Sequence, residues 1–168
     1  MEPRVSIIMG STSDLSVMEA AAKVLDEFEI PFEINALSAH RTPEAVEIFA
    51  KGAKSRGIQV IIAAAGMAAH LPGVIAAMTT LPVIGVPINA SLNGWDSLLA
   101  IVQMPPGIPV ATVAVNGAQN AGILAAQIIA IGDQQIADKL DTFKENLKIK
   151  IEKANQDISE IKFKFKTN

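Results

Sequence analysis

Short apolar runs without polar alternation recur along the first two thirds of the chain, each leading into a glycine, serine or proline turn and then a segment of helical period. Val5 to Met9 is the first such run. It ends in Gly10-Ser11-Thr12-Ser13-Asp14, after which Leu15, Met18, Ala22, Leu25 and Phe28 follow at three- and four-residue steps. Phe32 to Leu37, Ile58 to Ala65, Val83 to Val86 and Val110 to Val115 read as four further strands. Between them, helices are predicted from Pro43, with Thr42 as N-cap and Glu44 and Glu47 near the positive end, from Gly73 to about Thr79, from Gly94 to Met104, and from Gly117 to Ile131.

Strands that do not alternate are buried on both faces, and strands separated by helices pair in parallel. The expected fold is therefore an α/β protein, a three-layer α/β/α sandwich on a five-stranded parallel sheet. The 117–131 helix is apolar or small nearly all round, and a surface helix should have a polar face, so burial against other subunits is expected. After Gly132 the character changes. Residues 133 to 168 hold 15 of the 31 charged side chains, while Ile136, Leu140, Phe143, Leu147, Ile151, Ala154 and Ile158 keep a helical stripe. The expected organisation is a catalytic domain over residues 1–132 and a long helical extension of that domain over 133–168.

Composition narrows the function classes. A chain of 168 residues suits one domain with a substantial core. With no cysteine, disulfide frameworks, thiolate nucleophiles and cysteine-held metals are excluded. The N-terminal apolar run is too short for a secretory signal, which makes the cytoplasm the default location. Net charge is −3 with only three arginines, so no nucleic-acid surface is expected. Residues 57 to 132 contain a single formal charge, Asp96, yet their prolines and the polar Asn116, Gln119, Asn120 and Gln127 argue against a membrane span.

In a parallel α/β sheet, ligands bind beyond the carboxyl ends of the strands. The loops after the first three strands carry Gly-Ser-Thr-Ser-Asp, Ser-Ala-His-Arg-Thr-Pro and Ala-Ala-His-Leu-Pro-Gly, so both histidines of the chain should open on one edge. Imidazole is the side chain whose ordinary titration lies near neutrality, although most isolated histidines merely satisfy one hydrogen bond. His40 stands between a strand end and a proline-started helix, the rigid mounting a general acid/base needs. Arg41 offers a bidentate phosphate partner, and Asp14 an acceptor for ribose hydroxyls. The 10–14 turn offers backbone N–H groups and hydroxyls to an anion, but taken alone it is equally well explained by Ser13 or Asp14 as a plain helix cap. His70 lies in a loop of small residues able to approach a ligand or move as a lid; a structural loop histidine is the competing reading. No metal site is expected, and no Gly-x-Ser-x-Gly elbow occurs.

Met-Gly-Ser-x-Ser-Asp (9–14), Ser-Ala-His-Arg-Thr-Pro (38–43), Ala-Ala-His-Leu-Pro-Gly (68–73), Leu-Pro-Val-Ile-Gly-Val-Pro (81–87), Asp-Ser-Leu-Leu (96–99), the 101–112 segment and Asn-Ala-Gly-Ile-Leu-Ala-Ala (120–126) resemble, in order, the PurE family of purine biosynthesis. The His-Arg-Thr-Pro and Ala-His-Leu-Pro-Gly forms are similar to its class I, the N5-carboxyaminoimidazole ribonucleotide mutases. Class II relatives, which carboxylate aminoimidazole ribonucleotide directly, typically have lysine after the first histidine and lack the second. The resemblance implies a flavodoxin-like fold, a homo-octamer, and transfer of a carboxylate from the exocyclic N5 to ring carbon 4 without metal, biotin or ATP. It implies His40 as proton shuttle and Ser11, Asp14 and Arg41 as substrate ligands, with Ser13 and Ser38 nearby. Gly66, Ala68, Ala69, His70 and Leu71 would line the substrate and help retain carbon dioxide. Two positions depart from the family: Ala64 and Met67 stand where glycines are common, and Met67 either reshapes the pocket or points away from it. The 116–119 stretch is also shorter than usual, which bears on a helix start. A carboxylase acting on carbon dioxide directly and a non-catalytic nucleotide-binding module are the alternative functions.

Overall fold

A computed structural model describes residues 2–168. Five strands, β1 (Val5–Met9), β2 (Phe32–Ala36), β3 (Val60–Gly66), β4 (Val83–Ile88) and β5 (Ala111–Thr112), form one all-parallel sheet in the order β2-β1-β3-β4-β5. That is the flavodoxin-like order, in which the chain reverses its direction of travel across the sheet between β1 and β3. Six helices complete the fold: α1 (Leu15–Glu27), α2 (Pro43–Gly52), α3 (Leu71–Ala76), α4 (Trp95–Val102), α5 (Ala118–Ala130) and α6 (Gln134–Glu160).

The period-two geometry of the strands divides the core in two. Val5, Ile7 and Met9 of β1, with Val60, Ile62 and Ala64 of β3, face α1, α5 and α6. Ile8, Ile61, Ala63 and Ala65 face α2, α3 and α4 on the other side. Ser6 is buried at the centre of β1, where its hydroxyl donates to Glu33 and accepts from Asn35 of the neighbouring strand.

Several boundaries differ from those read in the sequence. β2 stops at Ala36 and alternates, with Ile34 exposed, because it is an edge strand with one open face. β3 starts two residues later than expected, because the β1 ladder begins at the Val5–Val60 pair. β5 shrinks to two residues: Ala111 and Thr112 pair with Ile84 and Gly85 of β4, the Val113 N–H adds a last bond to the Gly85 carbonyl at 3.1 Å, and the chain then turns toward α5. α3 begins at Leu71, earlier than expected, because Pro72 fits the first turn of a helix.

The chain itself covers part of the apolar surround of α5. Ala121, Gly122, Ala125, Ala126 and Ile129 are buried against α1 and α6, while Ile123, Leu124 and Ile128 are half-buried and Ile131 is exposed. α6 is held at its start, where Asp133 caps the Ile136 N–H and pairs with Arg4 at 2.7 Å. Ile136 and Leu140 are buried, and Phe143 meets Phe28 edge to face. Beyond that, Leu147, Ile151 and Ile158 are exposed. No helix among the described residues is long and apolar enough to cross a membrane.

Candidate active site

Because every strand is parallel, the segments after β1, β2, β3 and β4 leave the sheet on one edge, and the first three flank the β1/β3 reversal. They enclose a cavity of about 450 Å³. Ser11, Ser13, Asp14, Ser38, His40, Arg41, Gly66, Ala68, Ala69, His70 and Leu71, all proposed from the sequence, line it. The reading from sequence missed Gly10, Ala39, Ala65 and Ala90. Ala90 follows β4, so the same edge rule, extended by one strand, would have found it. A larger cavity of about 810 Å³ opens at the amino-terminal ends of β4 and β5, away from both histidines.

The first loop is built by Ser11, whose hydroxyl accepts the Ser13 N–H at 3.3 Å and closes a 3-10 turn over Thr12–Asp14. Neither Ser13 nor Asp14 caps α1: Asp14 occupies the N-cap position without a side-chain cap bond, and its carboxylate accepts instead from the Ser13 hydroxyl at 3.1 Å. This leaves the acid pointing at something other than its own helix. Burial raises its pKa above the usual carboxylate value, and the Ser13 hydrogen bond partly opposes this.

The second loop is closed by Thr42. Its hydroxyl makes no cap bond to α2, contrary to expectation; it accepts from the Ser38 N–H at 2.9 Å and donates to the Ser38 carbonyl at 3.1 Å. The Ser38 hydroxyl in turn accepts from the Arg41 N–H at 3.3 Å. Arg41 reaches across to the first loop, donating from Nη2 to the Gly10 carbonyl at 2.8 Å. Among the described residues no carboxylate pairs with it, so its charge is left for a ligand. Pro43 opens α2 as expected.

The third loop contains two non-glycine residues with left-handed backbone, Met67 at φ 57° and Ala69 at φ 45°. Each such residue costs about 1–2 kcal/mol, which tertiary packing must hold in place. Ala69 is buried, while Met67 is 63 % exposed and itself lines the cavity, so the methionine forms part of the pocket wall. Ala64 is buried in the α1/α5 side of the core and faces away from the cavity. Leu71 packs its side chain into the opposite core. The 116–119 segment forms the turn into α5, with Asn116 accepting from the Asn89 N–H at 2.9 Å.

The second and third loops meet at the histidines. His40 Nε2 and His70 Nδ1 lie 2.8 Å apart with the rings nearly perpendicular, at 88°. Among the described residues no group of three or more histidine or carboxylate side chains is placed to hold a metal ion. The site thus combines a paired imidazole, a guanidinium with no carboxylate partner among the described residues, an acid with raised pKa and three serines around one pocket. Such a set can bind a phosphorylated, hydroxyl-rich ligand and exchange a proton with it.

A family model described as AIR carboxylase matches residues 4–150. The N5-carboxyaminoimidazole ribonucleotide mutase of Pyrococcus abyssi is 60 % identical over 147 residues, 87 % of this chain and 84 % of that protein. The enzyme of the same name from Thermotoga maritima is 57 % identical over 163 residues, covering 96 % and 95 % of the two chains. Among solved structures, Treponema denticola PurE superimposes with a TM-score of 0.79 at 29 % identity, covering 96 % of this chain and 99 % of that one.

Proposed function

The chain belongs to the AIR carboxylase family, and we propose that within it the chain is an N5-carboxyaminoimidazole ribonucleotide mutase. The observation that carries this reading is the meeting of His40, His70, Arg41 and Asp14 on one cavity. In the direction of synthesis, the N5–carboxyl bond breaks, carbon dioxide leaves, and protonated His40 delivers its proton to N5. Ring carbon 4 of the resulting aminoimidazole then attacks carbon dioxide, and His40 takes the carbon 4 proton. One proton is lent and recovered, so the cycle needs no external acid, and the chemistry calls for no metal, biotin or ATP. Arg41 binds the 5′-phosphate, Asp14 the ribose hydroxyls, and Ser11, Ser13 and Ser38 donate around them. Gly66, Ala68, Ala69, His70 and Leu71 wall the space in which carbon dioxide is retained.

The rest of the reading is a flavodoxin-like catalytic domain over 1–132 with its 133–168 helical extension, assembled as a cytoplasmic homo-octamer. Turnover should be seen with N5-carboxyaminoimidazole ribonucleotide at low bicarbonate. Aminoimidazole ribonucleotide should give product only as carbon dioxide is raised. The carboxylase alternative gains if the second substrate is the faster at ambient carbon dioxide, and a binding module is left if neither turns over. His40→Asn should lower kcat at least about 10²-fold while nucleotide affinity stays within threefold; normal turnover in that variant would remove His40 from the mechanism.

A further inference from the structure

We propose that His70 is a positioning residue that holds His40 in its Nε2–H tautomer, so that His40 gives and takes the transferred proton at Nδ1 throughout the reaction. This rests on the mutase reading for its kinetic part only. The geometry is specific: His40 Nε2 and His70 Nδ1 are 2.8 Å apart, a distance at which one nitrogen donates a proton and the other supplies the lone pair. The pair also stands as a partition. His40 and His70 line both the 450 Å³ cavity and a second cavity of about 350 Å³ behind it, floored by Gly73, Val74, Ala100 and Met104. Each ring is thereby left with one nitrogen free of the other, Nδ1 on His40 and Nε2 on His70.

Proton accounting then assigns the roles. In the base form both rings are neutral; His40 bears its proton on Nε2 and donates it to His70 Nδ1, leaving the His40 Nδ1 lone pair free. In the acid form one proton has been added at His40 Nδ1, and the same Nε2–H···Nδ1 bond persists. The contact survives both halves of the cycle only with this arrangement, since a His70 that donated from Nδ1 would place the resting proton of His40 on Nδ1 and block the base. His70 must then keep its own proton on Nε2. An orienting partner on the second imidazole nitrogen is the device by which other acid/base histidines are kept in one tautomer.

His70 is delivered to this place by backbone that does nothing else evident. It stands at the N-cap position of α3 but makes no side-chain cap bond, so its ring is free of that duty. The left-handed residues Met67 and Ala69 turn the chain sharply just before it, with the Ala69 N–H closing on the Gly66 carbonyl at 3.0 Å.

The test uses the full chain and two substitutions. His70→Asn keeps an acceptor oxygen close to where Nδ1 lies, whereas His70→Leu keeps bulk and removes the acceptor. His70→Leu should lower kcat at least about 30-fold with KM for N5-carboxyaminoimidazole ribonucleotide changed less than threefold, and His70→Asn should recover tenfold or more of that loss. Solid-state nitrogen spectra of protein carrying ¹⁵N-histidine give a readout independent of turnover. The chain has two histidines, so in either variant every imidazole signal belongs to His40. Neutral His40 should be the Nε2–H tautomer in wild type and in His70→Asn, and a mixture in His70→Leu. Equal kcat for wild type and His70→Leu, no rescue by asparagine, or a neutral His40 protonated on Nδ1 in wild type would each overturn the assignment. A wild type without turnover would overturn the mutase reading instead, and the spectra would still decide the tautomer.

Discussion

Asp14 serves two opposed demands. Its carboxylate is free of any helix cap and half-enclosed by the pocket, which is what a ribose hydroxyl needs of an acceptor, yet the same enclosure raises its pKa. For an acid whose folded pKa exceeds its unfolded one, the folded protein is penalised as pH rises through the unfolded value, and the penalty is complete above the folded one. Asp14→Asn should therefore leave stability unchanged near pH 3 and raise it slightly at pH 7, by less than about 1 kcal/mol because the half-enclosed carboxylate is still screened by solvent. The same change should raise KM about tenfold or more through the lost charged acceptor. Thermal melts from pH 3 to 8 beside steady-state kinetics check both signs; a variant less stable than wild type at pH 7 would mean that Asp14 supports the fold after all. At this scale the sequence already placed the candidate residues on the edge where the structure brings them around one cavity, because the edge rule needs only strand order and direction. Bonding partners were less legible. Thr42 has the sequence context of a cap but spends its hydroxyl on Ser38, and the chain spacing between residues 40 and 70 gives no hint of a 2.8 Å contact.

Among the elements, β4 is the tightest. A Cβ at Gly85 would stand 2.4 Å from Ile101 of α4 and 2.9 Å from Val110, so the helix is seated directly on strand backbone. Gly85→Ala should cost about 1–3 kcal/mol by overpacking, lowering the urea midpoint without changing the m-value. Gly132→Ala, with nothing within 4 Å of the added carbon, is the control and should stay within about 0.5 kcal/mol. Equal midpoints for the two variants would show that α4 yields easily. The central strands were readable because burial on both faces leaves a continuous apolar run, as in Val60–Ala65. The two edges were not: β2 has one open face, and β5 keeps an apolar sequence over Val110–Val115 while only Ala111 and Thr112 of it are paired in the ladder. Hydrophobicity alone does not report a ladder: Val110, Val113 and Val115 are only half-buried, and Ala111 and Ala114 are exposed.

For the whole molecule, the exposed apolar side chains gather mainly on α4 and α6, with Ile131 exposed at the end of α5. Leu92, Trp95, Leu99 and Val102 are exposed along and beside α4, as are Leu147, Ile151 and Ile158 on the free length of α6. Bare aliphatic and aromatic side chains grouped in this way mark association surfaces in soluble proteins. Trp95 is the only tryptophan and is 62 % exposed in the single chain, so its emission reports directly on whether the α4 surface is covered. In the expected assembly the protein sediments as a multiple of 17.7 kDa, with Trp95 emission blue-shifted and weakly quenched by acrylamide. Leu99→Asp places a charge in that surface and should shift sedimentation toward the monomer, move the emission to the red, and leave far-UV circular dichroism unchanged. A chain that sediments as a 17.7 kDa monomer, or a Trp95 already fully quenchable in the wild type, would place these side chains in water and end the case for association through α4.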